Sequence, residues 1–134
     1  MKSRDALIRL KRFEVDEKRR KVAEIEMMIG DFNHMAGDLD RQIALEQERA
    51  GVSDTNHYAY PTFAKAAIQR RDNLQASVAD LQIKLDAARG QLAETLEELA
   101  KIELLEERDA IKAEQAKVAQ ADLHDVAAHH RAAS

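Results

Sequence analysis

Counting in sevens from Ile8 reaches Val15, Val22, Ile29, Ala36, Ile43 and Ala50, all of them apolar. A heptad repeat of this kind marks the a positions of a helix that packs along a narrow seam. The matching d positions are Lys11, Lys18, Ile25, Phe32, Leu39 and Glu46, apolar only in the middle. Ser3 is the expected N-cap, with Asp5 in the first turn, where the helix dipole favours an acid. The pattern predicts one helix from about residue 4 to 50, roughly 70 Å long at ~1.5 Å per residue.

A second heptad pattern follows. Ala64, Val78, Leu85, Leu92 and Leu99 occupy a, while Ala67, Leu74, Leu81, Ala88, Thr95 and Ile102 occupy d. Arg71 is the early polar exception. Beyond Ile102 the register fails, because Glu106 and Asp109 fall on the seam and the apolar Ile111 and Val118 lie on another face. Nothing from residue 62 to about 128 breaks a helix, so the second helix is the longer, roughly 100 Å at the helical rise.

"AGVSDTNHYAYP" separates the two patterns. Gly51 suits the position just past a helix end, where a residue without a Cβ adopts the left-handed conformation cheaply. Pro61 disfavours helix at Tyr60 and can start the next one, with Thr62 as an alternative cap. The expected fold is therefore all-α: an antiparallel coiled-coil hairpin of two long helices, joined by a turn at about 51–61. The second helix overhangs at the C-terminus by roughly 25 residues, and residue i faces about 112 − i along the antiparallel pair.

Charge supports the same alignment. The net charge of −4 conceals nine Lys/Arg against four acids in residues 1–21, and seven acids against two bases in residues 91–109. Blocks of opposite sign far apart in sequence are expected to meet, and the hairpin sets them face to face. Charged residues make up 34% of the chain, and much of its 45% apolar content is alanine. Such a chain builds a seam between helices and no thick core. Cysteine is absent, which excludes disulfides and thiolate metal sites. Charges interrupt any signal-like apolar stretch at the N-terminus, and no apolar run nears the ~18 residues needed to cross a bilayer. A soluble, cytoplasmic protein is expected.

Two groups of side chains stand out as candidate contacts. Tyr58, Tyr60 and Phe63 gather three of the five aromatic residues beside the one proline. They suit either a plug for the open end of the seam or a recognition knob, since aromatics at a rigid turn make good anchors. Leu7, Leu10 and Phe13 lie off the seam beside a basic face, a pattern that suggests a partner. The overhang adds the thin Ile111/Val118 stripe, expected to fray alone and to order when bound. Gly30 and Gly37 sit on the outer face of the first helix, where they either admit a partner backbone or are simply tolerated.

Chemistry finds little purchase. "DFNHMAGDLDRQ" from Asp31 imitates a calcium loop, but its glycine is one place late and Gln42 stands where the bidentate Glu belongs. His124, Asp125, His129 and His130 are clustered in sequence without a ligand framework. There is no phosphate-binding glycine loop and no Cys–His pair, so neither cofactor nor metal nor enzymatic activity is expected.

"LIRLKRFEVDEKRRKVAEIE", Leu7 to Glu26, resembles the opening of the FliJ family of flagellar type III export proteins. "YAYPTFAKAAIQRRDNL", Tyr58 to Leu74, looks like the turn and second-helix start of its alphaproteobacterial members, and length and plan agree over nearly the whole chain. The resemblance implies a cytoplasmic coiled-coil stalk, peripheral to the inner membrane, that binds a hexameric export ATPase and the cytoplasmic domain of the export gate. It also implies the handling of export chaperones. On that view Leu7, Leu10, Phe13, Ile111 and Val118 enter the ATPase ring, and the turn end with Tyr58, Tyr60 and Phe63 is left for the gate. Two other classes remain open. One is a generic coiled-coil adaptor, including a relative of an injectisome stalk. The other is a nucleic-acid-binding arm like that of seryl-tRNA synthetases, which would need basic side chains free of acidic partners.

Overall fold

The structure, a computed structural model, describes the backbone of residues 2–133 and the side chains of residues 3–129. Two helices make up the fold: α1, Lys2–Ala50, and α2, Thr62–Ala133. They run antiparallel, as the expected hairpin requires, and each is slightly longer than its pattern. Ser3 is not a cap but lies inside α1, because the helix already begins at Lys2. At the other end α2 stays helical to Ala133, through a segment rich in alanine and free of glycine and proline. Contacts divide the chain into two compact units: residues 16–92, and residues 1–15 with 93–134.

The first of these, residues 16–92, holds the turn and both apolar clusters. Ile25 and Ile29 of α1 bury against Leu81, Leu85 and Ala88 of α2, with Val22, Phe32 and Val78 packed around them. Nearer the turn, Leu39 and Ile43 bury with Ala67, flanked by Ile68 and Leu74. All but Ile68, which sits one place after Ala67, are a and d positions of the two heptad patterns. The polar exception is also accounted for: Arg71 donates from Nη1 to Asp40 Oδ1 across the pair at 2.9 Å, and from Nη2 to neighbouring Asp72 at 3.0 Å. Arg71 thus occupies its a position through ion pairs, with its side chain 27% exposed.

α1 ends through its glycine. Gly51 has φ of 68°, and its N–H donates to the carbonyl of Gln47 at 2.9 Å. The same N–H also reaches the Glu48 carbonyl at 3.3 Å, and the bond to Gln47, with a residue in the left-handed region, is the αL form of helix cap. The chain then makes two successive tight turns, Tyr60 N–H to the His57 carbonyl at 3.0 Å following His57 N–H to the Asp54 carbonyl at 3.1 Å. The Asp54 side chain braces the first by accepting from Asn56 N–H at 3.0 Å. Pro61 precedes α2 and its carbonyl accepts the first helical bond, from Lys65 N–H at 3.2 Å.

The other unit is held differently. Ile8 and Val15 of α1 are buried, Thr95 of α2 is buried, and Leu99 and Ile102 are half-buried. Where apolar seam residues run out, charges take over. Arg4 Nη1 bonds to Asp109 and lies 3.6 Å from Glu106, the two acids that interrupt the second heptad pattern. The register therefore continues past Ile102 with a polar filling. From Ile111 to His129 every side chain of α2 is exposed.

Candidate interaction surfaces

Among the described residues, no group of three His, Asp or Glu side chains is placed to hold a metal ion. The calcium-like stretch Asp31–Gln42 is helical throughout and forms no loop. His124, Asp125 and His129 stand on exposed turns of α2, while the His130 side chain lies outside the described residues. Among the described residues, no helix is long and apolar enough to cross a membrane. The surfaces worth building are therefore contact surfaces, and there are three.

At the turn, the three aromatics separate. Tyr60 is 5% exposed and its Oη accepts a hydrogen bond from Gln47 Nε2 at 2.8 Å, tying the turn back onto α1. It is the plug, and its burial takes it out of the solvent-facing set. Tyr58 is 96% exposed, stacked on His57 with ring centroids 4.6 Å apart. His57 is itself oriented, since its Nδ1 accepts from Ala59 N–H at 3.0 Å, which places the proton of the neutral ring on Nε2. Phe63, on the first turn of α2, is also exposed. The turn thus presents two aromatic rings from a backbone fixed by hydrogen bonds.

The unit formed by residues 1–15 and 93–134 carries both ion pairs across the helices and exposed apolar side chains. Lys11 Nζ bonds to Glu98 at 2.5 Å and to Glu14 at 3.1 Å, and Arg12 Nε lies 3.7 Å from Glu103. With the Arg4 contacts, these are the opposite blocks of charge meeting as expected. Hydrogen bonding to Lys11 lowers the Glu98 pKa, and hydrogen bonding to Arg4 lowers that of Asp109; Arg4 and Lys11 are raised in return, chiefly by the same bonds. Beside this clamp Leu7, Leu10 and Phe13 are exposed, as are Leu104, Leu105, Ile111 and Val118. Leu104 and Leu105 are exposed in the same unit but did not stand out in the sequence. Leu104 is seven residues before Ile111, and that spacing was the available signal.

The third surface lies on residues 16–92, where Met28 and Met35 are 44% and 41% exposed along one flank of the seam. Its methionines follow one another at seven residues, one position before each a residue. No family model, curated protein or solved structure matches the chain.

Proposed function

We propose that this chain is a non-enzymatic coiled-coil stalk of a flagellar type III export apparatus, binding the hexameric export ATPase and linking it to the cytoplasmic domain of the export gate. One observation carries the reading. Leu10, Phe13, Leu104, Ile111 and Val118 are all exposed on a two-helix unit whose pairing is secured by charge. Exposed Leu10, Phe13 and Leu104 on helices already held together by charge suit insertion into a partner, because binding them costs little ordering of those helices, while the overhang with Ile111 and Val118 orders on binding. Two further features agree. The stretch Leu7–Glu26 that resembles FliJ proteins includes Leu10 and Phe13, and the exposed Tyr58 and Phe63 leave the turn free for the gate.

The ion pairs weigh against a nucleic-acid arm. Arg4, Lys11 and Arg12 each face an acid of α2, so part of the basic block is neutralised within the chain. On this reading the protein is cytoplasmic, peripheral to the inner membrane, and available to export chaperones.

The test mixes the purified chain with the flagellar export ATPase of the same organism, following hydrolysis and ring assembly together. Stimulation by the wild type, lost in Leu10→Asp plus Phe13→Asp, is expected. A folded wild-type hairpin that neither binds nor stimulates would overturn the stalk and leave a generic coiled-coil adaptor.

A further inference from the structure

Between the helices the chain uses one motif twice. Asp54 accepts on its carbonyl from His57 N–H at 3.1 Å, and on its side chain, at Oδ1, from Asn56 N–H at 3.0 Å. His57 then accepts on its carbonyl from Tyr60 N–H at 3.0 Å, and on its side chain, at Nδ1, from Ala59 N–H at 3.0 Å. In each case a side chain takes the N–H two residues ahead, the way Asp and Asn brace a turn. His57 does in the second motif what Asp54 does in the first.

The two acceptors answer differently to protons. A carboxyl group keeps an accepting oxygen whether or not it is ionised, so the Asp54 motif has its acceptor in either state. An imidazole nitrogen accepts only while the ring is neutral, and in the imidazolium both nitrogens are donors. A proton added to His57 therefore sets an Nδ1–H against the Ala59 N–H, and the bond between them breaks. Histidine is the side chain whose charge ordinarily changes between about pH 5 and 8.

The second motif holds Tyr58. Both bonds that His57 accepts, from Ala59 N–H and from Tyr60 N–H, span its backbone. Its ring stacks on the imidazole, with centroids 4.6 Å and planes 26° apart, and the side chain is otherwise in water. Tyr60 is held separately, by burial and by its bond from Gln47. The orientation of Tyr58 thus depends on one titratable neighbour.

No other charged group takes over that role. At the end of α1, Glu46 bonds to Arg49 at 3.1 Å and Glu48 is exposed; at the start of α2, Lys65 is exposed. Within the turn the Asp54 carboxylate is committed to Asn56. Among the described residues none of these forms an ion pair with the imidazole.

We propose that His57 is a proton-operated latch: neutral, it closes the second turn and fixes Tyr58, and on taking up a proton it opens that turn and frees the Tyr58 ring. The latch belongs to the turn itself and does not depend on which partner the turn meets.

The test is nuclear magnetic resonance of the full chain, labelled with nitrogen-15. A scalar coupling through the hydrogen bond, from Ala59 N to His57 Nδ1, reads the latch directly, and Overhauser contacts between the two rings read the stack. In the wild type both are expected at about pH 8 and lost by about pH 5, with the Ala59 amide signal following the His57 ring signals. His57→Asn keeps an acceptor for the N–H two residues on and does not titrate, so its Ala59 amide should hold the bonded position throughout. His57→Phe keeps a ring and removes the acceptor, so its Ala59 amide should show the free position at both pH values. A coupling that survives protonation of His57 overturns the proposal. So does an equal acid response in His57→Asn, which would place the proton elsewhere. Ring contacts that persist after the coupling is lost overturn it too, because Tyr58 would not have been freed. A loss shared by the Gly51 amide, which caps α1, would mean that the whole turn unfolds and likewise overturns the latch.

Discussion

Leu85→Ala tests whether the seam is packed as described. Leu85 is 3% exposed, at the centre of the cluster formed with Ile25, Ile29, Leu81 and Ala88. The substitution removes three buried carbons, about 2.4 kcal/mol of transfer free energy at ~0.8 kcal/mol each. A cavity term normally adds to this, and buried Leu→Ala changes span about 2–5 kcal/mol. Here the addition is small. No large side chain among the described residues is sealed completely from solvent, so a seam one layer thick lets water or neighbours close over the gap. The expected loss is therefore about 2.5–3 kcal/mol, near the lower end of that range. Urea unfolding followed by far-ultraviolet circular dichroism measures it, with Ile83→Ala as the comparison. Ile83 lies on the same helix at 70% exposure, and its truncation should cost no more than about 0.5 kcal/mol. A loss at Leu85 below about 1 kcal/mol, or equal to that at Ile83, would refute a heptad-packed interface at this level.

Three other expectations follow from named contacts. Tyr60→Phe removes the hydroxyl that accepts from Gln47 and should cost about 1 kcal/mol, whereas Tyr58→Phe, with its side chain in water, should leave unfolding unchanged. Glycines should respond in opposite directions. Gly30→Ala meets nothing within 4 Å and should stabilise by up to about 1 kcal/mol in thermal or urea melts, while Gly51→Ala, at positive φ, should destabilise by ~1 kcal/mol. Acid should loosen the pairing of residues 1–15 with 93–134. Glu98 and Asp109 have lowered pKa values, so their contribution is complete above the ordinary carboxylate range and lost as pH falls through it and below. Raised Lys11 contributes fully below the ordinary lysine range and loses that contribution only in strong alkali. Amide exchange of Ile8 to Val15 across an acid series checks this. Unchanged protection at a pH where both carboxylates are protonated would contradict it.

Much of this molecule is periodic, and periodicity is visible in one dimension. Heptads at Ile8–Ala50 and Ala64–Ile102 dictate which stripe of each helix leaves water, because a helix repeats its faces nearly every seven residues. Gly51 and Pro61 mark the turn for local steric reasons, and the opposed charge blocks set the alignment without reference to coordinates. The exposure of Leu10, Phe13, Ile111 and Val118 follows from the same register, since an off-seam residue of a two-helix hairpin has nothing to cover it.

What the sequence leaves open depends on which side chains a fold brings within a few ångströms. Three aromatics beside a proline look alike until the double turn buries Tyr60 against Gln47 and turns Tyr58 outward. Glu106 and Asp109 read as a broken register. Only the antiparallel helix supplies Arg4 to face them. The two flanks of the seam differ for the same reason: Glu26 meets Arg89 and Asp40 meets Arg71 on one, whereas Met28 and Met35 lie half-open to solvent on the other. Local pattern dictates the helices and their pairing, because both rest on the period of the backbone. Partner choice among side chains is decided in three dimensions, because hydrogen bonds and ion pairs depend on distances that sequence separation does not encode.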